Sequence, residues 1–211
     1  MIRQTLAGLA LLATLATAQA APMDDAIATI SHDWAKISYQ TPEKQQEDAF
    51  DKLIEHSKLV VATYPDRAEP LVWEAIVLSS AAKAEGGLGA LSKVKTARKL
   101  LLQAEAIDPT ALHGSIYNSL GSLYAKVPGW PLGFGDKEKA KAYLEKALQM
   151  NPDGIDPNYF YADLLADQGD TAKAREYLQR ALAAPPRPGR EDADAGRRAD
   201  IKQLMAKLDK E

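Results

Sequence analysis

An 18-residue segment occurs twice, 34 residues apart, in the second half of this 211-residue chain. Residues 135–152 read GDKEKAKAYLEKALQMNP, and residues 169–186 read GDTAKAREYLQRALAAPP. Nine of the eighteen positions are identical, whereas ordinary composition would give roughly one or two matches. A repeat of this period indicates stacked helical units, because a single unit of this size cannot bury its apolar face alone.

The repeated segment has the pattern of an amphipathic helix with defined ends. Ala140, Leu144 and Ala147 are spaced by four and three residues, so they fall on one face of a helix. Two of the three are alanines, whose small side chains let a neighbouring helix approach closely. Asp136 is a favoured N-cap residue, and Pro152 stands where a helix must end. The sequence therefore predicts a helix between these two positions that packs through its Ala–Leu–Ala face.

A second pattern lies upstream and predicts a partner helix for the first. Four residues there, in the order Tyr, Leu, Gly and Tyr, have the spacing of a known repeat. Together with the helix just described, they resemble the tetratricopeptide repeat pattern W-x2-L-G-x2-Y…A-x3-F…P, with Tyr for Trp and Leu for Phe. The resemblance implies an all-α solenoid of helix-turn-helix units. The positions that carry it are Tyr117, Leu120, Gly121, Tyr124, Ala140, Leu144 and Pro152.

About four such units account for most of the chain. The first unit, which begins at Asp24, has few signature residues, as is typical of a terminal repeat. The second runs from about Trp73 to Pro109, the third covers residues 113–152, and the fourth covers residues 156–186. A last helix is predicted to cap the apolar side of the fourth unit. Its apolar face contains Ile201, Leu204, Met205 and Leu208.

The N-terminal residues have the features of a targeting segment. Arg3 supplies a positive charge, residues 6–17 form an apolar run, and residues 18–20 (Ala-Gln-Ala) form a small-residue cleavage site. The apolar run is short for a membrane span, although an uncleaved membrane anchor is the alternative. We therefore predict a signal peptide over residues 1–20, a repeat domain over residues 21–186, and a loop with a capping helix over residues 187–211. After cleavage the chain is expected in the periplasm of a Gram-negative cell, without membrane insertion.

Two units have extra residues between their two helices. The spacing of the signature positions places one insertion around residues 85–92 and the other at residues 128–134. The first insertion is rich in glycine and is predicted to be a flexible loop. The second, PGWPLGF, is more apolar than an ordinary surface loop. Both are expected to emerge side by side on the same edge of the solenoid.

The second insertion supplies three candidate contact residues, Trp130, Leu132 and Phe134. Two hypotheses follow from its apolar character. The side chains pack on their own chain, against the other insertion or the helix that ends near Tyr124, or they contact a partner, a ligand or a second subunit.

Several functional classes find no support in the composition. The net charge is −3, and basic residues do not cluster with aromatic residues, which argues against nucleic-acid binding. The chain has no cysteine, and its histidines (His32, His56 and His113) are scattered. A thiol nucleophile is thus absent from the sequence, and neither a metal-ligand pattern nor a serine elbow stands out. We expect no catalysis, no metal and no cofactor.

The tetratricopeptide resemblance also implies a ligand-binding surface, since the first helix of each unit lines the concave side in that family. Some members bind a peptide carboxylate there through Lys, Arg and Asn. Only Asn118 and Lys126 are of that kind here, and Lys126 is expected to pair with a neighbouring aspartate. The surface should therefore suit a neutral or cationic ligand, or no ligand. The implied positions are Glu74, Leu78, Asn118, Ser122, Lys126, Tyr159, Asp163 and Asp167.

A narrower resemblance covers residues 124–161. The sequences PGWPLGFGDKEKA and NPDGIDPNYFYAD within it resemble the T-component family associated with TRAP transporters. That resemblance implies an apolar cavity and a role beside a solute-binding protein. The leading prediction is a periplasmic protein–protein scaffold, compatible with a homo-oligomer, and the alternative is an accessory role in TRAP-type uptake.

Overall fold

The fold is described from a computed structural model, over residues 7–210; side chains are described from residue 22 onward, except at residue 88. Within this part of the chain every regular element is helical. The elements are α1 (Ala7–Gln40), α2 (Glu43–Thr63), α3 (Ala68–Glu85), α4 (Gly87–Ile107), a short 3-10 helix (Ala111–Gly114), α5 (Ser115–Lys126), α6 (Lys137–Met150), α7 (Ile155–Asp167), α8 (Thr171–Ala183) and α9 (Glu191–Leu208).

The first eight helices form four consecutive pairs, which confirms the predicted all-α, tetratricopeptide-like solenoid. In each pair the second helix packs on the first, and the first helices of successive units also touch one another. The core runs through the stack, and its leucines on the second helices are fully buried. These are Leu101, Leu144 and Leu178, and the flanking alanines Ala97, Ala104, Ala140, Ala147, Ala174 and Ala181 are equally inaccessible.

The third unit shows why the signature residues are needed. A Cβ atom added to Gly121 would lie only 2.5 Å from the Leu144 side chain, so glycine permits the close approach of α5 and α6. The Asp136 carboxylate accepts hydrogen bonds from the backbone N–H groups of Glu138 and Lys139, both at 3.1 Å. Asp136 is thus the N-cap of α6, as predicted.

The start of α1 differs from the expectation. The first unit is predicted to begin at Asp24, but α1 is continuous from Ala7 through Pro22, so Asp24 lies inside the helix. Residues 18–21 are rich in alanine, the residue with the highest helix propensity, and they favour such an extension. The predicted signal peptide falls partly outside the described residues, since residues 1–6 are not described.

The prediction of a flexible loop at residues 85–92 is wrong. The chain reverses direction at Gly86 and Gly87, which have φ values of 68° and 61°, and α4 then begins at once. Positive φ is accessible to glycine without a steric penalty, so two residues are enough for the turn. Lys93 contacts Glu85 across the turn at 2.7 Å. The extra residues therefore lengthen α3 and α4.

Helix α9 contacts more of the molecule than the predicted cap. Its residues Ile201 and Leu208 are buried, and the helix packs against the last pair, α7 and α8, as expected for a cap. The same helix also packs on α1, the first helix of the chain. The C-terminal helix thereby joins the two ends of the solenoid.

Candidate partner-binding surfaces

The apolar loop of residues 128–134 is held in place by its own backbone. Gly135 N–H donates to Pro128 C=O at 2.9 Å, and Asp136 N–H donates to Tyr124 C=O at 2.9 Å. Gly133 N–H also donates to Gly129 C=O at 3.1 Å. The bond from Gly135 joins the two ends of the loop, and the bond from Asp136 ties its C-terminal end to the last turn of α5.

Phe134 is the inner anchor of this loop. Its ring lies edge-on to the Tyr124 ring at a centroid distance of 5.5 Å, and the Arg98 guanidinium lies 4.2 Å from its centroid. Arg98 belongs to α4, so the loop leans toward the preceding unit. Phe134 therefore packs on its own chain, as the first of the two hypotheses stated.

Trp130 and Leu132 face the solvent at the tip of the same loop. Trp130 is 89% exposed and Leu132 is 70% exposed, which places them among the most exposed large apolar side chains of the described residues. Pro131 lies between them and is also exposed. The loop is thus divided between a packed base and an apolar tip, and only the tip is available for contact.

The predicted concave positions fall into a polar cluster and a buried set. Lys126 on α5 contacts Asp163 at 2.8 Å and Asp167 at 2.6 Å, both on α7. The expected pairing of Lys126 with a neighbouring aspartate is thereby confirmed. Burial opposes the charge on Lys126, but the two carboxylates outweigh it and raise the pKa of the ammonium group. Asn118 is buried at 7% exposure, so little of its side chain is accessible to a ligand.

Tyr159 lies beneath helix α9. The guanidinium of Arg197 stands 4.6 Å from the Tyr159 ring centroid and 4.7 Å from that of Phe160. Burial is the main reason that the pKa of the Tyr159 hydroxyl is raised. The Tyr159 ring is therefore covered in part by the chain's own C-terminal helix.

An ion-pair cluster that sequence reasoning missed holds α9 in this position. Asp156 at the start of α7 accepts from Arg197 Nε at 2.8 Å and from Arg187 Nη1 at 2.7 Å. Burial alone would raise the pKa of the Asp156 carboxyl, but the two arginines hold it well below the usual aspartate range. Arg187 also contacts Asp194 at 2.6 Å. The density of Arg and Asp in residues 187–200 was the available signal.

Two further contacts join α9 to α1. The Tyr39 hydroxyl donates to Asp200 at 3.3 Å, and His32 Nδ1 lies 3.0 Å from Asp192 Oδ2. At Gly196 a Cβ atom would overlap the Tyr39 ring, so the two helices meet closely only because this position is glycine.

Other surfaces offer little organised chemistry. A cleft along α2 is lined by Asp48, Asp51, Lys52 and Glu55. Among the described residues, no three His, Cys, Asp or Glu side chains are grouped so that they could hold a metal ion. None of the helices in the described part of the chain combines the length and apolarity required to cross a membrane.

The paired helices, the buried Ala–Leu–Ala faces and the capped turns agree with a known repeat family over the C-terminal third of the chain. Residues 132–208 match the tetratricopeptide repeat family. The matched segment begins in the apolar loop and ends at the last residue of α9, so it covers the third unit's second helix, the fourth unit and the cap.

One curated relative is the Sol locus transcriptional repressor of Clostridium acetobutylicum, with 34% identity over 68 residues. The aligned segment is 32% of this chain and 19% of that protein, so the match covers about a fifth of the relative's length.

Two solved structures resemble the chain at low identity. A tetratricopeptide protein of Thermus thermophilus, TTC0263, is 17% identical, with 76% of this chain and 91% of that chain covered and a TM-score of 0.43. The protein pilF of Pseudomonas aeruginosa is 15% identical, with 89% and 90% covered and a TM-score of 0.37. At these sequence identities and TM-scores, the similarity supports no inference about function.

Proposed function

We propose that this chain is a non-catalytic scaffold that binds another protein through the tip of the loop of residues 128–134. The observation that carries the proposal is the exposure of Trp130 (89%) and Leu132 (70%) on a loop whose base is fixed by Phe134. A tetratricopeptide-like fold is itself typical of proteins that bind other proteins.

The energetics favour contact with a partner over permanent exposure. A buried Trp side chain removes roughly 150–250 Å² from water, which at about 25 cal/mol per Å² is worth at most about 4–6 kcal/mol before entropic costs. Tryptophan is also enriched among the residues that dominate binding energy at interfaces. Since the loop is already ordered by its backbone hydrogen bonds, little further ordering is needed when a partner binds.

The double change Trp130→Ser with Leu132→Ser tests this role. Because both side chains are exposed, we expect the free energy of unfolding to stay within about 0.5 kcal/mol of the parent value. Binding to the proteins that the parent chain captures from a periplasmic extract should fall at least tenfold, measured with purified partners. A matched control is Leu59→Ser, since Leu59 is 67% exposed on α2, far from the loop in sequence.

If the folded double variant binds its partners as the parent does, the loop is not part of the interface. If the captured species is a second copy of the chain, sedimentation of the purified parent and the variant will show it as loss of the oligomer. Phe134→Ala serves a different purpose, because it should destabilise the fold through the lost packing on Tyr124 and Arg98.

We also propose that the chain is exported and cleaved after Ala20. Supporting this site, Pro22 would then stand in the first turn of α1, where a proline costs little because its missing N–H has no helical partner. In the uncleaved helix the same proline is internal.

Expression in a Gram-negative host provides the test of export. N-terminal sequencing of the periplasmic protein should begin at Ala21, and Ala18→Leu with Ala20→Leu should block processing. Recovery of the parent protein with Met1 intact, in the membrane or cytoplasmic fraction, would contradict the proposal.

An accessory role in TRAP-type uptake is a second candidate, favoured only by the sequence of the loop and the segment after it. It predicts that the captured partner is a solute-binding protein and that the genes beside this one encode transporter subunits. Capture of a partner unrelated to transport would contradict the role in uptake and would agree with the scaffold role.

A further inference from the structure

Four cations lie around the base of the apolar loop without carboxylate partners. The Arg98 guanidinium on α4 lies 4.2 Å from the Phe134 ring centroid, and Lys137 is the first residue of α6, shortly after the loop. Lys95 and Lys99 are exposed on α4, within one turn of Arg98. None of these four forms an ion pair with the described side chains, whereas three neighbouring lysines do, namely Lys93, Lys139 and Lys146. Positive charge is therefore available to a partner at the base of the loop.

This positive charge is a local excess, since the whole chain has a net charge of −3. Two acidic residues lie at the start of α6. Asp136 caps the helix and pairs with Lys139, so Glu138 alone remains to offset the four cations. An acidic partner is therefore attracted to this surface, and a basic partner is repelled.

The exposed tip of the loop is too small to form a stable interface by itself. Full coverage of a Trp side chain buries roughly 150–250 Å², whereas stable interfaces bury about 800 Å² on each partner. A stable contact must therefore extend onto the adjoining surface of α4. Lys95, Lys99 and Leu102 are spaced by four and three residues there and form one exposed face, on which Leu102 is 40% exposed. The resulting tip–α4 surface consists of Lys95, Arg98, Lys99, Leu102, Trp130 and Leu132.

We propose that the tip–α4 surface binds an acidic segment of a partner protein. Apolar side chains of that segment cover Trp130 and Leu132, and its carboxylates pair with the cations around the loop. The inference rests on the contact role proposed above for the loop tip, and it adds the chemistry of the partner and the extension of the contact onto α4. The concave positions on the first helices take no part in it.

The two parts of this surface should act on different steps of binding. Exposed cations at the edge of an interface mainly increase the association rate, and dissolved salt screens their effect. Apolar side chains that become fully covered mainly decrease the dissociation rate. Substitutions in the cations and in the tip are therefore expected to give different kinetic changes.

A displayed library of short random peptides serves as the probe. It is selected on the immobilised full-length protein and depleted on the Trp130→Ser, Leu132→Ser variant, so that only peptides dependent on the tip are retained. We expect the retained peptides to combine large apolar residues with a net negative charge. A synthetic copy of one such peptide, treated with a carbodiimide in the complex, should couple through its carboxylates to lysines that mass spectrometry identifies as Lys95, Lys99 or Lys137.

The triple variant Lys95→Gln, Lys99→Gln, Lys137→Gln removes three cations and leaves the contact of Arg98 with Phe134 in place. Its affinity for the synthetic peptide should fall at least about fivefold at about 50 mM NaCl, mainly through a slower association rate, and the difference should disappear near 0.5 M NaCl. The matched control removes three exposed lysines from α2 and α9 and should bind like the parent. Its substitutions are Lys44→Gln, Lys202→Gln and Lys207→Gln.

Three results of the peptide experiments would overturn the proposal: no enrichment of acidic residues, no retained peptide that depends on the tip, or equal affinity of the triple variant and its control. With the first or the third result, the tip still binds its peptides, so the contact role of the loop is unaffected. That role fails by a different result, which is equal partner binding by the parent and the Trp130→Ser, Leu132→Ser variant. Tip-dependent binding of the parent to vesicles of phosphatidylcholine and phosphatidylglycerol would also overturn the proposal, since the surface would then contact a membrane.

Discussion

Replacing Asp156 by asparagine will lower the free energy of unfolding by about 2–3 kcal/mol. Asp156 pairs with both Arg197 and Arg187, and its loss leaves each guanidinium group with one remaining carboxylate partner, Asp200 and Asp194 respectively. Breaking a buried ion pair costs roughly 3–5 kcal/mol, and the lower value expected here reflects the 24% exposure of the Asp156 side chain. Denaturant unfolding followed by circular dichroism measures the difference.

The pH dependence of this difference follows from the depressed pKa of Asp156. A carboxyl group whose folded-state pKa is lowered contributes its stability above its unfolded pKa, about 3.9, and loses it as the pH falls toward the folded value. The gap between the parent and Asp156→Asn should therefore be constant from pH 8 to pH 5 and narrow only below about pH 4.

Asp153→Asn is the matched control, because Asp153 is exposed in the turn before α7. It should change the free energy of unfolding by less than about 0.5 kcal/mol. A similar small effect from both substitutions would mean that the Asp156 cluster contributes little to holding α9.

The repeat register could be predicted from the sequence because it depends on local periodicity. Ala140, Leu144 and Ala147 are all inaccessible, as their spacing indicates, and Asp136 caps the helix that they define. These features repeat at a fixed interval, so each copy supports the interpretation of the other.

The turn between α3 and α4 could not be predicted in the same way. The spacing of signature residues reveals that residues are added, but it does not reveal whether they form a loop or extend two helices. Gly86 and Gly87 are compatible with both, and the packing of the longer helices decides between them.

The packing of α9 on α1 depends on contacts between residues far apart in the sequence, which no local pattern predicts. His32 and Asp192 are separated by 160 positions, and Tyr39 and Asp200 by 161. The apolar face around Ile201 indicated a cap, but the contact of Gly196 with the Tyr39 ring requires the curvature of the whole solenoid.

The two large aromatic residues of the loop at residues 128–134 could not be told apart from the sequence either. Phe134 packs at the base of the loop because Tyr124 and Arg98 lie beside it, whereas Trp130 is left at the exposed tip.

The largest loss of stability is expected for Leu144→Ala. Leu144 is fully buried between α5 and α6, with its side chain against Gly121, and its removal leaves a cavity that the close-packed helices cannot fill. Leu-to-Ala changes in such positions cost roughly 2–5 kcal/mol. We expect a value in the upper half of that range, because Gly121 has no side chain that could move into the space.

Thermal and denaturant unfolding of Leu144→Ala, compared with Gln149→Ala, will test this expectation. Gln149 lies on the exposed face of the same helix, and alanine there retains or improves helix propensity, so its effect should stay within about 0.5 kcal/mol. A cavity in the third unit also weakens the coupling between the second and fourth units, since each repeat is stabilised mainly by its neighbours. Leu144→Ala should therefore broaden the unfolding transition as well as shift it. Equal, small effects from both substitutions would mean that the face containing Leu144 is not the one that packs on α5.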